Sequence, residues 1–444
     1  MSMNVVPPLC SALIWGSGQC INKQKLKGLI FFLLQAVFVF IELFTRRGGY
    51  DPTVPGSQFR NAGYFIRGIW GLVTLGSLPR ESSRQPVYDH SVMLMLSGII
   101  ALMVLLIFAA FWIWNIIDAY KTRRGIDAGE HISSRQYFRN LWDSAFEYIT
   151  IAPGMLLVIF ISIVPIIFAI LVAFTNYNAN FIPPVRLVKW NGMNTFLDIF
   201  RISIWGNTFF RIFGWTILWA FLATFSSYTF GLLQALVLRA RVVKFRRFWR
   251  GLFILPWAVP GIVSMMVFRS LFHKEGAFNQ MLVAAGFIKE AIPFLSDPTW
   301  AKLCLVLVNM WLGFPYFMAL ITGVMTTIPQ EMYEASQIDG ANTWQQFRAI
   351  TLPFVIASTA PQILMSVTFN FNNFNMIYFI TGGGPANPAY QMAGSTDILI
   401  SWIFKLTLDQ RMYNFASALS ILIFIIVASV SAWNLLRTRA FKEE

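Results

Sequence analysis

The feature that most restricts this chain is a set of long apolar runs, near residues 26–44, 93–117, 148–174, 212–238, 251–272, 302–326, 356–380 and 413–436. Runs of about 20 apolar residues with few charges can cross a hydrocarbon core of about 30 Å as helices. Inside lipid every backbone N–H and C=O must be satisfied within the protein, which leaves helices and closed barrels as the spanning forms. A barrel would alternate apolar and polar positions over segments of about 10 residues, and no such alternation is present. The expectation is therefore an all-α, polytopic membrane protein with about eight transmembrane helices. Composition agrees, since 57% of the 444 residues are hydrophobic and only 12% are charged, about half the charged share of a soluble domain. A further stretch, residues 63–76, holds Arg67 and four glycines and reads as an interfacial or re-entrant piece rather than a full crossing.

The formal net charge of +14 raises nucleic acid as a partner. Blocks of Lys and Arg beside apolar spans instead hold cytoplasmic loops against an anionic leaflet, so membrane lipid is expected and nucleic acid is not. Counting those blocks orients the chain: KQKLK at Lys23 to Lys27, KTRRG with Arg135 and Arg139, RARVVKFRRFWR from Arg239 to Arg250, and the tail RTRAFK all fall on one side. Both termini are expected in the cytoplasm, although Arg46, Arg47, Arg60 and Arg67 then lie outside. The first run lacks a small-residue cleavage site and is expected to be a retained anchor. Cys10, Cys20 and Cys304 are far apart, as are His90, His131 and His273, so neither a disulfide framework nor a metal site is expected. The chain divides into an N-terminal membrane region, residues 1–145, and a six-span core, residues 146–444.

Between two of the apolar runs lies a polar stretch, EASQIDGANTWQQFRAITLP, from Glu334 to Pro353. Pro329 suits the start of a helix, residues 330–338 suit a short helix, and Gly340 supplies a permissive terminus. Thr343 with Gln346 reads as a capping box that opens the next helix. The stretch 330–353 is thus a helix, turn, helix in water, which an ordinary structured loop would also satisfy. Glu334, Ala335 and Ser336, then Asp339, Gly340 and Ala341, then Ile350, Leu352 and Pro353 resemble at every interval the EAA loop of permease subunits in bacterial ABC importers. Ser336 stands where that family usually has alanine. The resemblance implies the type I permease fold, with these residues forming a coupling helix that docks on a cytoplasmic ATPase. The chain has no GxxxxGK[ST] phosphate loop, so it is expected to bind no cofactor itself, to be no enzyme and to have no catalytic residues. ATP and Mg would belong to two partner ATPase subunits.

Two neighbouring runs carry polar groups. In NMWLGFPY, Asn309, Leu312, Gly313 and Tyr316 share one helical face. In SVTFNFNNF, Ser366, Phe369, Asn370 and Asn373 fall within an arc of about 100°, whereas Asn372 and Asn375 point elsewhere. An amide in hydrocarbon must pair with another helix or face a water-filled cavity, and both readings stand. Amides with aromatic rings suit a neutral sugar, whereas amino acids, metal ions or phosphorylated compounds would call for paired charge. NMWLGFPY, FNFNNF and TGGGP at Thr381 to Pro385 look like the larger membrane subunit of the maltose and maltodextrin importer, over roughly residues 148–444. That resemblance implies that the eight residues just named contact sugar, and that the partners are a second, smaller permease subunit, two ATPases and an extracytoplasmic solute-binding protein. The expected setting is a bacterial plasma membrane. The loop 176–211 is short where the best-known member has a large extracytoplasmic domain, and so resembles the permeases of Gram-positive bacteria. Rival expectations are an importer of galacto-oligosaccharides or raffinose-type sugars, and a proton-driven secondary transporter, which would show intramembrane acidic or His relays.

Overall fold

A computed structural model of the chain describes residues 5–46, 56–85, 87–129, 134–240 and 243–437. Of the residues used above to orient the chain, Arg47, Arg241 and the tail beyond Arg437 lie outside the described residues, as does His131. The regular elements among the described residues are helices, and besides several short ones they include α1 (Lys25–Phe44), α2 (Tyr64–Thr74), α3 (Ser91–Asp127), α4 (Ala145–Ala173), α5 (Ser203–Arg239), α6 (Arg246–Ala258), α7 (Gly261–Leu271), α8 (Pro298–Thr326), α9 (Gln330–Ile338), α10 (Leu352–Phe371), α11 (Phe374–Ile380), α12 (Leu399–Leu408) and α13 (Tyr413–Arg437). Among the described residues there is no strand, only two isolated bridges. Each expected span falls on one of these helices or on a broken pair. Among the described residues six helices are long and apolar enough to cross a membrane, and the bent pair α6 and α7 raises the number to seven.

The chain forms two compact units, Met1–Thr195 with Met412–Ile421, and Phe196–Arg411 with Leu422–Glu444. In the first, two short helices, Val6–Leu13 and Ser17–Ile21, are tied to α3 by buried polar groups. The Gln19 amide donates to the Asn115 carbonyl (2.9 Å) and to Asp118 Oδ2 (3.1 Å), and Lys27 Nζ pairs with Asp118 Oδ1 at 2.8 Å. Lys27 therefore sits in a buried ion pair rather than on a basic surface, since a buried charge needs a partner. Helix α2 has 11 residues, too short for a crossing. It packs on α3 through glycine: a Cβ at Gly98 would lie 2.6 Å from the Gly68 carbonyl oxygen and 2.6 Å from Leu72 Cβ. Just before α3, Arg60 grips Asp89 with Nε (2.8 Å) and Nη2 (2.7 Å), and the Ser77 and Leu78 amides donate to the same carboxylate.

The second unit is organised around α5 and α8, the spans most deeply buried among the described helices. Small residues on α5 (Ala220, Ala223, Ser227, Gly231 and Ala235) recur at helical spacing and lie buried, which lets two backbones approach closely, as membrane helix pairs do. At Gly231 an added Cβ would stand 2.8 Å from Met318 N and 2.9 Å from Phe314 O. Above and below this seam, Trp219, Leu305, Val308 and Ile377, and then Tyr228, Phe317, Ile321 and Val355, close two apolar clusters.

Three local readings change with the structure. The run 251–272 is not straight: α6 and α7 meet at 89°, because Pro260 cannot continue the hydrogen-bond ladder. The run 356–380 breaks at Asn372, and Asn373 caps α11, its Oδ1 accepting from Met376 N at 3.3 Å. Asparagine competes with the helix for backbone partners in this way. Helix α12 was not expected, since 10 residues fall below the length of a span. Its buried Trp402 and Leu406, together with the Lys405–Asp397 pair at 2.6 Å, hold it against the second unit's core.

Candidate functional site

The polar residues of α8 and α10 meet those of α5, and the whole cluster lies in the second unit. Asn309 donates to the Ala223 carbonyl (3.2 Å) and to Ser227 Oγ (3.4 Å). Asn370 donates to Thr224 Oγ1 (3.0 Å) and Ser366 Oγ (3.5 Å), while its carbonyl accepts from Trp219 Nε1 at 3.0 Å. Asn373 links the two, reaching Asn309 Oδ1 at 3.5 Å and Asn370 Oδ1 at 3.4 Å. It does so from the break between α10 and α11, not from the continuous helical face that periodicity suggested.

The eight residues divide by exposure. Asn309 and Asn370 are 7% and 4% exposed, so their amides brace three helices. Phe369 and Tyr316 are 68% and 40% exposed, and Leu312, Gly313, Ser366 and Asn373 are half-buried beside them. Gly313 leaves room for Ser227, whose Oγ would stand 2.7 Å from a Cβ there. The two asparagines thus follow the first reading of an intramembrane amide, bonding between helices, while the Phe369 and Tyr316 rings stay exposed. Sequence reasoning missed Thr224, Ser227 and Trp219 on α5, although hydroxyl and small residues at three- and four-residue spacing marked that face. It also missed Trp257, whose ring lies 6.0 Å from that of Tyr316 at the bend between α6 and α7.

The second constellation is the helix pair after α8. Helix α9 ends in a Schellman arrangement: Gly340 takes φ +82°, its N–H donates to Gln337 O at 3.0 Å, and Ala341 N–H donates to Ser336 O at 2.9 Å. The next helix, Thr343–Gln346, is capped by Asn342 with Gln345 rather than by Thr343 with Gln346. The register differs by one because Asn342 is the better N-cap. Gln346 is freed to reach back, its Nε2 donating to Ser336 Oγ at 2.9 Å. Ser336, where the resemblance expects alanine, thereby ties the two helices together. The base of α9 is pinned by buried Tyr333, whose hydroxyl meets Thr351 Oγ1 at 2.9 Å and whose ring lies under the Arg239 guanidinium at 4.8 Å. Glu334, Ala335, Asp339 and Gly340 remain exposed, Ala341 is half-buried, and Ile338 and Trp344 are exposed beside them. The pair thus presents a mostly polar, lightly acidic surface, with Ile338 and Trp344 exposed in it, on a braced base.

TGGGP forms a braced turn ahead of α12. The Thr381 and Thr396 hydroxyls pair at 2.8 Å, and Asp397 accepts from Gly394 N and Ser401 Oγ. Burial holds the Asp397 carboxyl above the usual range, against the pull of Lys405.

Relatives of the chain extend over nearly its whole length. Residues 227–438 match the family described as binding-protein-dependent transport system inner membrane component. The galactooligosaccharides transport system permease protein GanP of Bacillus subtilis is 38% identical over 441 residues, covering 98% of each chain. The maltodextrin transport system permease protein MdxF of the same organism is 37% identical over 442 residues, covering 98% of this chain and 95% of its own. Among solved structures, a bacterial ABC transporter involved in the import of the acidic polysaccharide alginate shares the fold, with a TM-score of 0.55 at 19% identity over 69% of this chain and 99% of its own. With full-length similarity to two such permeases and the family's own sequence pattern over its second half, the chain belongs to the binding-protein-dependent transport system inner membrane component family as a membrane-spanning permease.

Proposed function

We propose that this permease belongs to an ATP-driven importer of a neutral oligosaccharide of the maltose and maltodextrin type. The observation that carries this reading is the uncharged aromatic and amide face of α8 and α10, in a chain similar end to end to permeases named for sugars. Sugar C–H surfaces pack on Tyr316 and Phe369, and hydroxyls bond to Ser366 and Asn373. Asn309 and Asn370 hold these groups in place from behind. Residues 146–444 do this work, with residues 1–145 as an accessory region, and both termini lie in the cytoplasm.

The second, smaller permease subunit covers the exposed apolar side of α10, and a solute-binding protein delivers sugar from outside. Two ATPase subunits, carrying ATP and Mg, receive α9 with Glu334, Ala335, Ser336, Asp339, Gly340 and Ala341. Closure of the ATPase dimer moves this knob. Because Tyr333 and Thr351 join the base of α9 to the start of α10, a displacement of α9 is passed directly to the helix that carries Ser366, Phe369 and Asn370.

A second reading, import of galacto-oligosaccharides, is favoured by the 38% identity to GanP. Proteoliposomes holding the assembled importer and its binding protein decide between them: maltotriose uptake is expected, and uptake of galactobiose alone would select the second reading. ATP-independent uptake driven by a proton gradient would overturn both.

A further inference from the structure

At the end of α5 and α8 that carries α9 there is a cavity of about 540 Å³ whose wall includes Arg239, Arg246 and Arg250, together with Thr326, Gln330 and Glu331. Three guanidinium groups thus face one carboxylate. Arg246 is partly engaged, donating to the Ala240 carbonyl at 2.9 Å and the Val243 carbonyl at 3.3 Å. Arg239 lies over Tyr333 and reaches its hydroxyl at 3.3 Å. Arg250 has no hydrogen bond or ion pair among the described residues. A second cavity, of about 360 Å³, continues from the first: Arg250, Thr322 and Thr326 line both, and beyond them the wall is Ile254, Met318, Ala319 and Gly323. A Cβ at Gly323 would meet nothing within 4 Å, so the cleft is open there.

We infer that the two cavities together bind an anionic phospholipid, with its phosphate headgroup among the three arginines and an acyl chain in the cleft between α6 and α8. Arginine forks match phosphate oxygens in pairs, and basic pockets between helices at a membrane surface are suited to such headgroups. A free phosphate anion has the same headgroup chemistry but would use the first cavity only. The apolar continuation past Arg250 is what favours a lipid. Because Arg239 also caps the Tyr333 ring, a headgroup held there stiffens the base of α9. Binding at this site does not require that the permease carry sugar.

The assembled complex, placed in nanodiscs of phosphatidylcholine with or without phosphatidylglycerol, tests the inference by native mass spectrometry of the retained lipid. Phosphatidylglycerol is expected to be retained preferentially. Arg250→Gln is expected to weaken its retention about fivefold, the effect of one basic residue at an anionic surface. Gly323→Leu, which fills the cleft, is expected to weaken lipid retention while leaving protection by inorganic phosphate in a thermal shift unchanged. Equal retention of the two lipids, or full retention by both variants, overturns the inference. Phosphate protection equal to that of the lipid and insensitive to Gly323→Leu, with lipid retention also insensitive, reassigns the site to a free anion. A cross-link from Arg250→Cys to a partner subunit shows a protein in the cleft and overturns it as well.

Discussion

Gly340 offers the sharpest test of the coupling element, because its backbone and its surroundings make opposite predictions. Its φ of +82° lies in the left-handed region, where a Cβ costs roughly 1–2 kcal/mol. An added Cβ would meet nothing within 4 Å, so Gly340→Ala adds strain and no clash. A penalty of that size lowers the population of the intact turn by a factor of roughly 5–30, releasing the bonds to Gln337 and Ser336 that end α9. Gly340→Asn has a larger side chain but tolerates the left-handed region. The assay is sugar uptake per ATP hydrolysed in proteoliposomes, with assembly followed by co-purification. Gly340→Ala is expected to assemble and to lose coupling, and Gly340→Asn is expected to keep most of it. Wild-type coupling in the alanine variant would refute the role of the turn. An asparagine variant worse than alanine would show that space against a partner, not backbone strain, is what glycine supplies.

Other expectations rest on single observations. Gly231→Ala drives a methyl into Met318 N and Phe314 O, backbone atoms that cannot rotate away, so it should lower the thermal stability of the permease by about 1–3 kcal/mol; an unchanged melting temperature would contradict the tight seam between α5 and α8. Asn370→Ala leaves the Thr224 hydroxyl without its 3.0 Å donor, at about 1–3 kcal/mol, and should reduce sugar uptake while membrane insertion stays normal; unaltered uptake and specificity would remove Asn370 from the site. Burial acts to raise the Asp89 carboxyl, but the bonds from Arg60, Ser77 and Leu78 outweigh it and hold it below the usual range. A lowered folded pKa means that Asp89 stabilises the protein above the unfolded carboxylate range and loses that contribution as pH falls through its own value. Asp89→Asn should therefore destabilise at pH 7, by about 3–5 kcal/mol if Arg60 is left unpaired, and the gap to wild type should close in acid; a gap independent of pH would refute the ion pair's part.

How much could be read in advance follows from the range of the interactions involved. The spans were legible because a hydrocarbon layer imposes one length and one composition on any helix that crosses it. The turn at Gly340 was legible because backbone geometry at a helix end is set by a few adjacent residues. The cap was placed one residue late, at Thr343 instead of Asn342, although Asn is the stronger cap and forms the box with Gln345, which leaves Gln346 to bond Ser336. The short helix Leu399–Leu408 and the burial of Lys27 against Asp118 depend on partners far along the chain.

The polar residues of the two site helices were visible in order, but not their division of labour. Periodicity could place Asn309 beside Tyr316 and Asn370 beside Phe369. It could not show that the asparagines turn inward to Ala223, Ser227 and Thr224 on a third helix while the rings stay open. Apolar length, charge bias and turn chemistry are local properties, and the residues alone determined a polytopic helical membrane protein with a rigid polar knob. Which polar group braces and which side chain stays exposed depends on the groove each helix finds in its neighbours, and that was decided only when α5, α8 and α10 packed together.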